Sequence, residues 1–335
     1  FRFPSRGRSR YGWSRMNSLH ASLRNGSLAR AGLLAAALLG LAGCASVKRA
    51  AVGQMADALA GGGSSYASDD DPELIREATP FSLKLMESVL AQTPEHRGLL
   101  QACASGFTQY AYGFVLQEAD ESETADFARA EAGRVRAKKL FLRAKAYGLR
   151  GLEAAHPGLA AELMRDPKAA AARAEKDDVG LLYWTAAAWG GAVSLGKNDP
   201  ELIAEIPQLE SLIDRALALD ESWGGGAIHA FLITYEMNRS GVAGDPAERA
   251  RRHFERAVEL SAGRLAGPYV SYAEAVCVER HDVAGFVASL EKALAIDPDA
   301  EPEQRLANLV MQRRARWLLA HQEDLFLTVG QTLRH

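Results

Sequence analysis

The residues with the most chemistry to offer are aromatic. Phe107-Thr108-Gln109-Tyr110-Ala111-Tyr112-Gly113-Phe114 packs four rings into eight residues, and Tyr183, Trp184, Trp189 and Trp223 add more. Rings in that number can line an apolar cleft, with Thr108 and Gln109 beside them to hydrogen-bond a bound molecule. The same residues can build a helical core, because Tyr and Trp bury well once their polar atoms find partners. Spacing alone does not choose between the two. The ligand or interface reading covers Phe107, Gln109, Tyr110, Tyr112, Phe114, Tyr183, Trp184 and Trp189.

Reactive constellations are missing from the sequence. There is no Gly-x-Ser-x-Gly elbow and no His-Glu-x-x-His zinc helix, and the eight histidines are scattered. Asp69-Asp70-Asp71 with Glu73 has the oxygens of a hard-cation site, but a solvated linker and a helix cap account for the same residues. Cys103 and Cys277 lie in apolar helical contexts and read as small buried side chains. A metal needs clustered ligands at short spacings, and none is found. No catalytic residue, cofactor or metal is expected, and the chain does not read as an enzyme.

The elements that carry these residues are helical. Asp71-Pro72-Glu73 joins an N-cap, a proline at the first helical position and an acid in the first turn. Asp199-Pro200-Glu201 repeats it, and Asp245-Pro246-Ala247-Glu248 repeats most of it. Beyond Asp71 the apolar residues recur at three and four, as in Leu83, Met86, Val89 and Leu90, with almost no period-2 alternation. Glu123–His156 reads as a long helix or helix pair ending at Pro157. Gly180–Ala192 is apolar on all sides and must be buried. His229 and His281 are expected on helices, as structural histidines. Ala216–Asp220, Ala257–Ser261 and Ala293–Pro298 end successive helices, and Tyr272–Pro298 resembles a tetratricopeptide unit. The stretch from Pro302 to about Glu323 reads as a terminal capping helix. The expected fold is all-α: stacked antiparallel helix pairs, degenerate tetratricopeptide-like repeats forming a compact α-solenoid.

The chain's start carries an address. Arg24 and Arg30 precede the apolar run Ala31–Leu41, and Leu41-Ala42-Gly43-Cys44 follows as a lipobox. Eleven apolar residues are too few to span a bilayer, which needs about 20. Residues 1–43 therefore read as a signal peptide, with Met16 as the natural start after residues 1–15. Cys44 becomes the lipidated first residue of an exported protein. Residues 44–70, with Gly61-Gly62-Gly63-Ser64-Ser65, read as a flexible tether, and 71–335 as the folded body. The glycine run is no phosphate loop, since no Lys-Ser/Thr pair follows and no strand precedes it. The part from Cys44 on has 32 basic and 42 acidic residues, a net charge of −10. That balance sets nucleic acid aside as a partner and leaves the lipid as the link to a membrane. Ala45, in place of an aspartate, favours the outer membrane, with the body facing the periplasm.

Gly106–Asp120, with its aromatic octet, resembles the T-component family of TRAP-transporter-associated lipoproteins (TatT). Asp71–Phe81, Ala137–Arg150 and Gly180–Gly190 resemble the same family, in order, behind a lipobox in the expected place. The resemblance implies an all-helical fold with tetratricopeptide-like pairs, and a homotrimer with a pore-like cavity in each subunit. It also implies a periplasmic accessory role in TRAP-type transport, a substrate-binding protein as partner, and a small hydrophobic ligand. The competing expectation is a tetratricopeptide lipoprotein that scaffolds outer-membrane or pilus assembly. Its repeats would be regular throughout, whereas here they are confined to the C-terminal half.

Overall fold

The computed structural model describes residues 50–331 and divides into two units, Phe1–Gln54 and Met55–His335. The described residues of the first unit, 50–54, are helical. The export signal and Cys44 lie outside the described residues. In the second unit every regular element among the described residues is a helix.

The longer helices are α1 (Pro72–Leu90), α2 (Arg97–Tyr110), α3 (Phe127–Ala155), α4 (Val179–Ser194), α5 (Ile206–Leu219) and α6 (Trp223–Glu236). They are followed by α7 (Pro246–Leu260), α8 (Ala266–Tyr272), α9 (Val283–Leu294), α10 (Arg305–Ala320) and α11 (Gln322–Gln331). Two are extended by π-helical turns: α2 through Ala111–Leu116 and on to Ser122, and α8 through Ala273–Cys277.

Asp-Pro pairs start these helices as expected. The Asp71 carboxylate accepts from the Glu73 and Leu74 amides at 3.0 and 3.1 Å, and Asp199 and Asp245 cap in the same way. Such a cap satisfies donors that the first turn leaves free, and stabilises by about 1 kcal/mol. His281 departs from expectation. It sits in a turn with φ of 54°, because the chain reverses there before Asp282 caps α9. Part of the stretch read as a tether is also ordered. Residues 55–61 are helical, Ala56 is buried, and Asp57 meets His96 at 3.0 Å. Alanine-rich sequence favours helix there, so the body begins ahead of Asp71.

α4 is the central element, buried around most of its circumference. It lies close to α3 because glycines meet it. A Cβ at Gly148 would overlap Thr185, and one at Gly191 would come within 2.7 Å of the Phe141 ring. α6 begins at Trp223 with three left-handed residues, Gly224, Gly225 and Gly226, at φ of 60°, 65° and 91°. Only glycine adopts this region without steric cost.

Successive helices pack neighbour on neighbour: α1 on α2, α2 on α3, α3 on α4, α4 on α5 and α6, α6 on α7 and α8, α8 on α9, and α9 on α10. The last of these returns to the first. Arg305 donates to the Ser68 carbonyl at 2.8 Å, and Arg313 pairs with Glu121 at 2.6 Å and Glu73 at 3.3 Å. Arg314 reaches Asp120 at 3.2 Å, and a Cβ at Gly113 would lie 3.4 Å from Val310. The apolar face of α10, with Met311, Ala315 and Leu318, is packed against α8 and α9. Its arginine-bearing side makes the closure.

His229 of α6 and His253 of α7 share a hydrogen bond of 2.8 Å between ring nitrogens, and His229 also reaches Glu221 at 3.3 Å. Desolvation pushes both imidazoles down, His253 to about 4, although Glu221 and Glu236 pull upward against Arg239, Arg252 and Arg256. The folded state therefore keeps them neutral while an unfolded histidine, near 6.5, takes up a proton first. Their contribution to stability is present above the ordinary pKa and is lost as pH falls from about 6.5 to about 4. Denaturation midpoints measured across that window are expected to fall on acidification, with a shallower slope in His253→Asn; an unchanged slope contradicts the assignment.

Candidate functional site

α2 sorts the aromatic octet by face. Phe107, Tyr110 and Phe114 are buried. Phe107 stacks on Tyr147 with centroids 5.9 Å apart, Tyr110 packs on Phe114, and the Tyr110 hydroxyl accepts from Arg136 at 3.3 Å. Trp189 of α4 is also enclosed, with its indole N–H donating to Glu205 at 3.0 Å and Lys145 3.8 Å from the ring centroid. Gln109 and Tyr112 are exposed, and Tyr112 is 43% accessible. The octet is thus divided, and the structure does not gather all eight candidates in one place.

Tyr112 has a second property. Its phenol is pushed well above the ordinary range, chiefly by desolvation. The groups acting on it come from four parts of the chain: Glu274 after α8, Arg314 of α10, Asp120 beyond α2, and Tyr183 of α4. Accessibility and desolvation point in opposite directions for a residue on the outer surface. Both hold for a side chain that water reaches while other parts of the chain stand around it.

The groups around Tyr112 include a charged cluster. Arg314 donates from Nε and Nη2 to Glu274 Oε1 at 3.0 and 2.6 Å, and its Nη2 lies 3.2 Å from Asp120. Its guanidinium rests 4.7 Å from the Trp317 ring centroid, while Nη1 is buried with no hydrogen-bond partner among the described residues. Burial raises the carboxyl pKa of both Glu274 and Asp120 in spite of Arg314. Arg134, 3.6 Å from Asp120, is shared with Glu123 and Glu131.

Tyr183 also belongs to an aromatic cluster. Tyr183 meets Trp184 and Trp223 with centroids 4.8 Å apart in each case, and Trp184 meets Trp223 at 6.3 Å, nearly perpendicular. All three are partly exposed. Burial pushes the Tyr183 phenol up to about 12, and no charged group contributes. Such edge-to-face contacts are favourable for rings carrying quadrupoles.

Sequence reasoning missed Asp120, Glu274 and Arg314 as site residues. Two of the residues just described sit in π turns, Tyr112 in the first and Glu274 in the second. A π turn inserts a residue and re-aims those after it, a device common at functional sites. The available sequence signal was the arginine cluster of α10. Trp223, named only as an extra aromatic, is marked by the Gly-Gly-Gly that follows it. Cys103 and Cys277 are free and buried, with thiols pushed up to about 12 by burial. Among the described residues no His/Cys/Asp/Glu group could hold a metal.

A model of the TRAP transporter T-component matches residues 68–326. The chain belongs to the TRAP transporter T-component family. All four stretches that carried the resemblance fall inside the matched span. The chain is also similar to a Treponema pallidum (strain Nichols) protein described as uncharacterized, 31% identical over 266 residues, covering 78% of this chain and 82% of the relative. A T-component is an accessory part of TRAP transport, on the periplasmic side. Among the described residues no helix is long and apolar enough to cross a membrane.

Arg314 and Tyr112 differ in what they hold. Arg314→Leu leaves Glu274 and Asp120 without their guanidinium and is expected to cost about 2–3 kcal/mol, below the range for a fully buried pair because both acids see some water. Tyr112→Phe removes a hydroxyl with no hydrogen-bond partner among the described residues and should change stability by less than about 0.5 kcal/mol. Urea unfolding distinguishes them, and equal losses contradict this placement of Tyr112.

Proposed function

We propose that this T-component is anchored through a lipid on Cys44 at the outer membrane, facing the periplasm, where it docks the substrate-binding protein of a TRAP system. In this reading Tyr112, Tyr183, Trp184 and Trp223 line a recess that takes a small hydrophobic ligand, which passes between the two proteins. Copies of the chain associate, as a trimer in the reading that the family resemblance implies.

The observation that carries this reading is the accessible aromatic wall. Tyr112, Tyr183, Trp184 and Trp223 belong to three helices far apart in sequence, are partly open to solvent, and make no side-chain hydrogen bond among the described residues. A purely structural cluster satisfies its polar atoms, as Trp189 and Tyr110 do. Apolar walls with few polar groups are the usual form of small-molecule sites. Phe107, Tyr110, Phe114 and Trp189 then act behind the wall, by holding α2 and α4 in position.

Two variants and one capture experiment test this. The protein should retain the substrate-binding protein encoded beside TRAP membrane subunits in a pull-down, and Trp184→Ala should keep that capture while losing co-purifying hydrophobic ligand by mass spectrometry. Tyr110→Ala should instead lower the melting temperature. Failure to capture the binding protein contradicts the docking role, and Trp184→Ala that lowers only melting temperature returns Trp184 to the core.

A further inference from the structure

The net charge of the chain hides a basic helix. α3 holds eight cations and two acids, a net of +6, against −10 for the part from Cys44 on. Both acids are engaged, Glu131 with Arg134 at 2.8 Å and Glu153 with the Gly158 and Ala160 amides. Arg129, Arg136, Arg143 and Arg150 are exposed and stand seven residues apart. Seven residues are nearly two turns, so the four form one row, each about 10 Å along the axis from the next. Lys139 lies beside the row and is also exposed.

Acid does not cover this row. Arg136, Lys139 and Arg150 pair with no carboxylate among the described residues. Arg143 reaches Glu87 at 3.5 Å, but Glu87 also pairs with Lys84, and Arg129 pairs with Glu118. Rings hold three of the guanidiniums in place. Arg136 lies over Tyr110 at 5.6 Å from the centroid, and Arg143 over Phe107 and Arg150 over Tyr147 at 5.4 Å each. Arg150 also donates to the Pro94 carbonyl at 3.0 Å. A fork already held loses less freedom on pairing, and it suits carboxylates at set positions. A lipid surface attracts charge without asking for orientation. The row therefore favours an ordered protein partner over a membrane.

Beside the row the surface is low. Ala128, Ala132 and Ala146 are exposed, and Val135 is 52% exposed among them. Small side chains let a second helix lie close, and two helices crossing at a shallow angle keep residues seven apart in register. A second copy of the chain is a poor match. Within the described helices only Glu248 and Glu255 are acids seven apart, and Arg251 pairs with both.

We infer that the substrate-binding protein docks on the exposed side of α3, through a helix laid along the alanines with its carboxylates against the arginine row. This rests on the docking role proposed above, and adds the surface and the chemistry of the partner.

The probe is the substrate-binding protein encoded beside TRAP membrane subunits, titrated against the full chain with Cys44 replaced by Ser. Lys139→Glu removes no contact within the fold, so its melting temperature should hold while affinity falls roughly tenfold. Arg252→Glu makes the same charge change at an exposed position of α7 and should stay within about twofold. Adding Arg136→Gln to Lys139→Glu should deepen the loss, and the single variant decides if the double one does not fold. A benzophenone on Ala146→Cys should crosslink to an acid-bearing helix of the binding protein.

Undiminished affinity in Lys139→Glu overturns the inference and leaves the docking role standing. An equal loss in Arg252→Glu reduces the effect to overall charge and overturns it as well, as does a crosslink to a strand or a basic segment. Vesicles of phosphatidylglycerol and phosphatidylethanolamine test the membrane. If they bind wild type and release Lys139→Glu while affinity for the binding protein is unchanged, the row serves a lipid surface. If the wild-type chain does not bind the substrate-binding protein, the docking role and this inference fall together.

Discussion

Arg314 sits where the end of the helical succession meets its beginning, and the recess proposed around Tyr112 depends on that meeting. Its guanidinium joins Asp120 beyond α2 to Glu274 after α8, while Arg313 and Arg305 tie α10 to Glu73, Glu121 and Ser68. Isolated surface pairs are worth about 0–1 kcal/mol each. These form a network, and Arg314 is only 11% exposed in its side chain, so desolvation and pairing are both larger there. Two carboxylates around one buried guanidinium are poor value for stability alone, since matched apolar residues often do as well. Their use is to place charge on an inner wall.

The rest of the architecture serves the same wall. The glycines between α3 and α4 let α4 sit deep, which leaves Tyr183 and Trp184 partly exposed while Trp189 is sealed against Lys145 and Glu205. The three left-handed glycines after Trp223 set the entry of α6 and bring Trp223 onto Tyr183. The two π turns aim Tyr112 and Glu274. Removing helical regularity at two points costs backbone stability, and the two points hold Tyr112 and Glu274.

Much of this was legible in the sequence, for stated reasons. Helix starts follow from Asp-Pro pairs, because capping and a fixed φ are local chemistry. The burial of Gly180–Ala192 follows from its lack of a polar face. The T-component resemblance rested on stretches that the matched span contains. The split of the aromatic octet was legible in principle, since at 3.6 residues per turn Phe107, Tyr110 and Phe114 share one side of a helix and Gln109 and Tyr112 another. The recess was not legible. Asp120, Glu274 and Arg314 meet across well over a hundred residues, and a π turn has no composition signal. The ordered residues 55–67 were hidden by their glycines, although the alanines before them favour helix.

Accessibility at Tyr112 tests the central claim, a water-reached recess inside a closed helical unit. A Tyr112→Cys variant, with Cys44 replaced by Ser, can be labelled against a silent background, because Cys103 and Cys277 are buried. Phe81→Cys gives the outer-surface reference, as Phe81 is 74% exposed. The account predicts rapid reaction of the Tyr112→Cys thiol with a small methanethiosulfonate and slow reaction with a bulky polyethylene-glycol maleimide, while Phe81→Cys takes both. Equal reaction with both reagents at position 112 would place it on the outer surface and contradict the account, and no reaction with either would place it in the core.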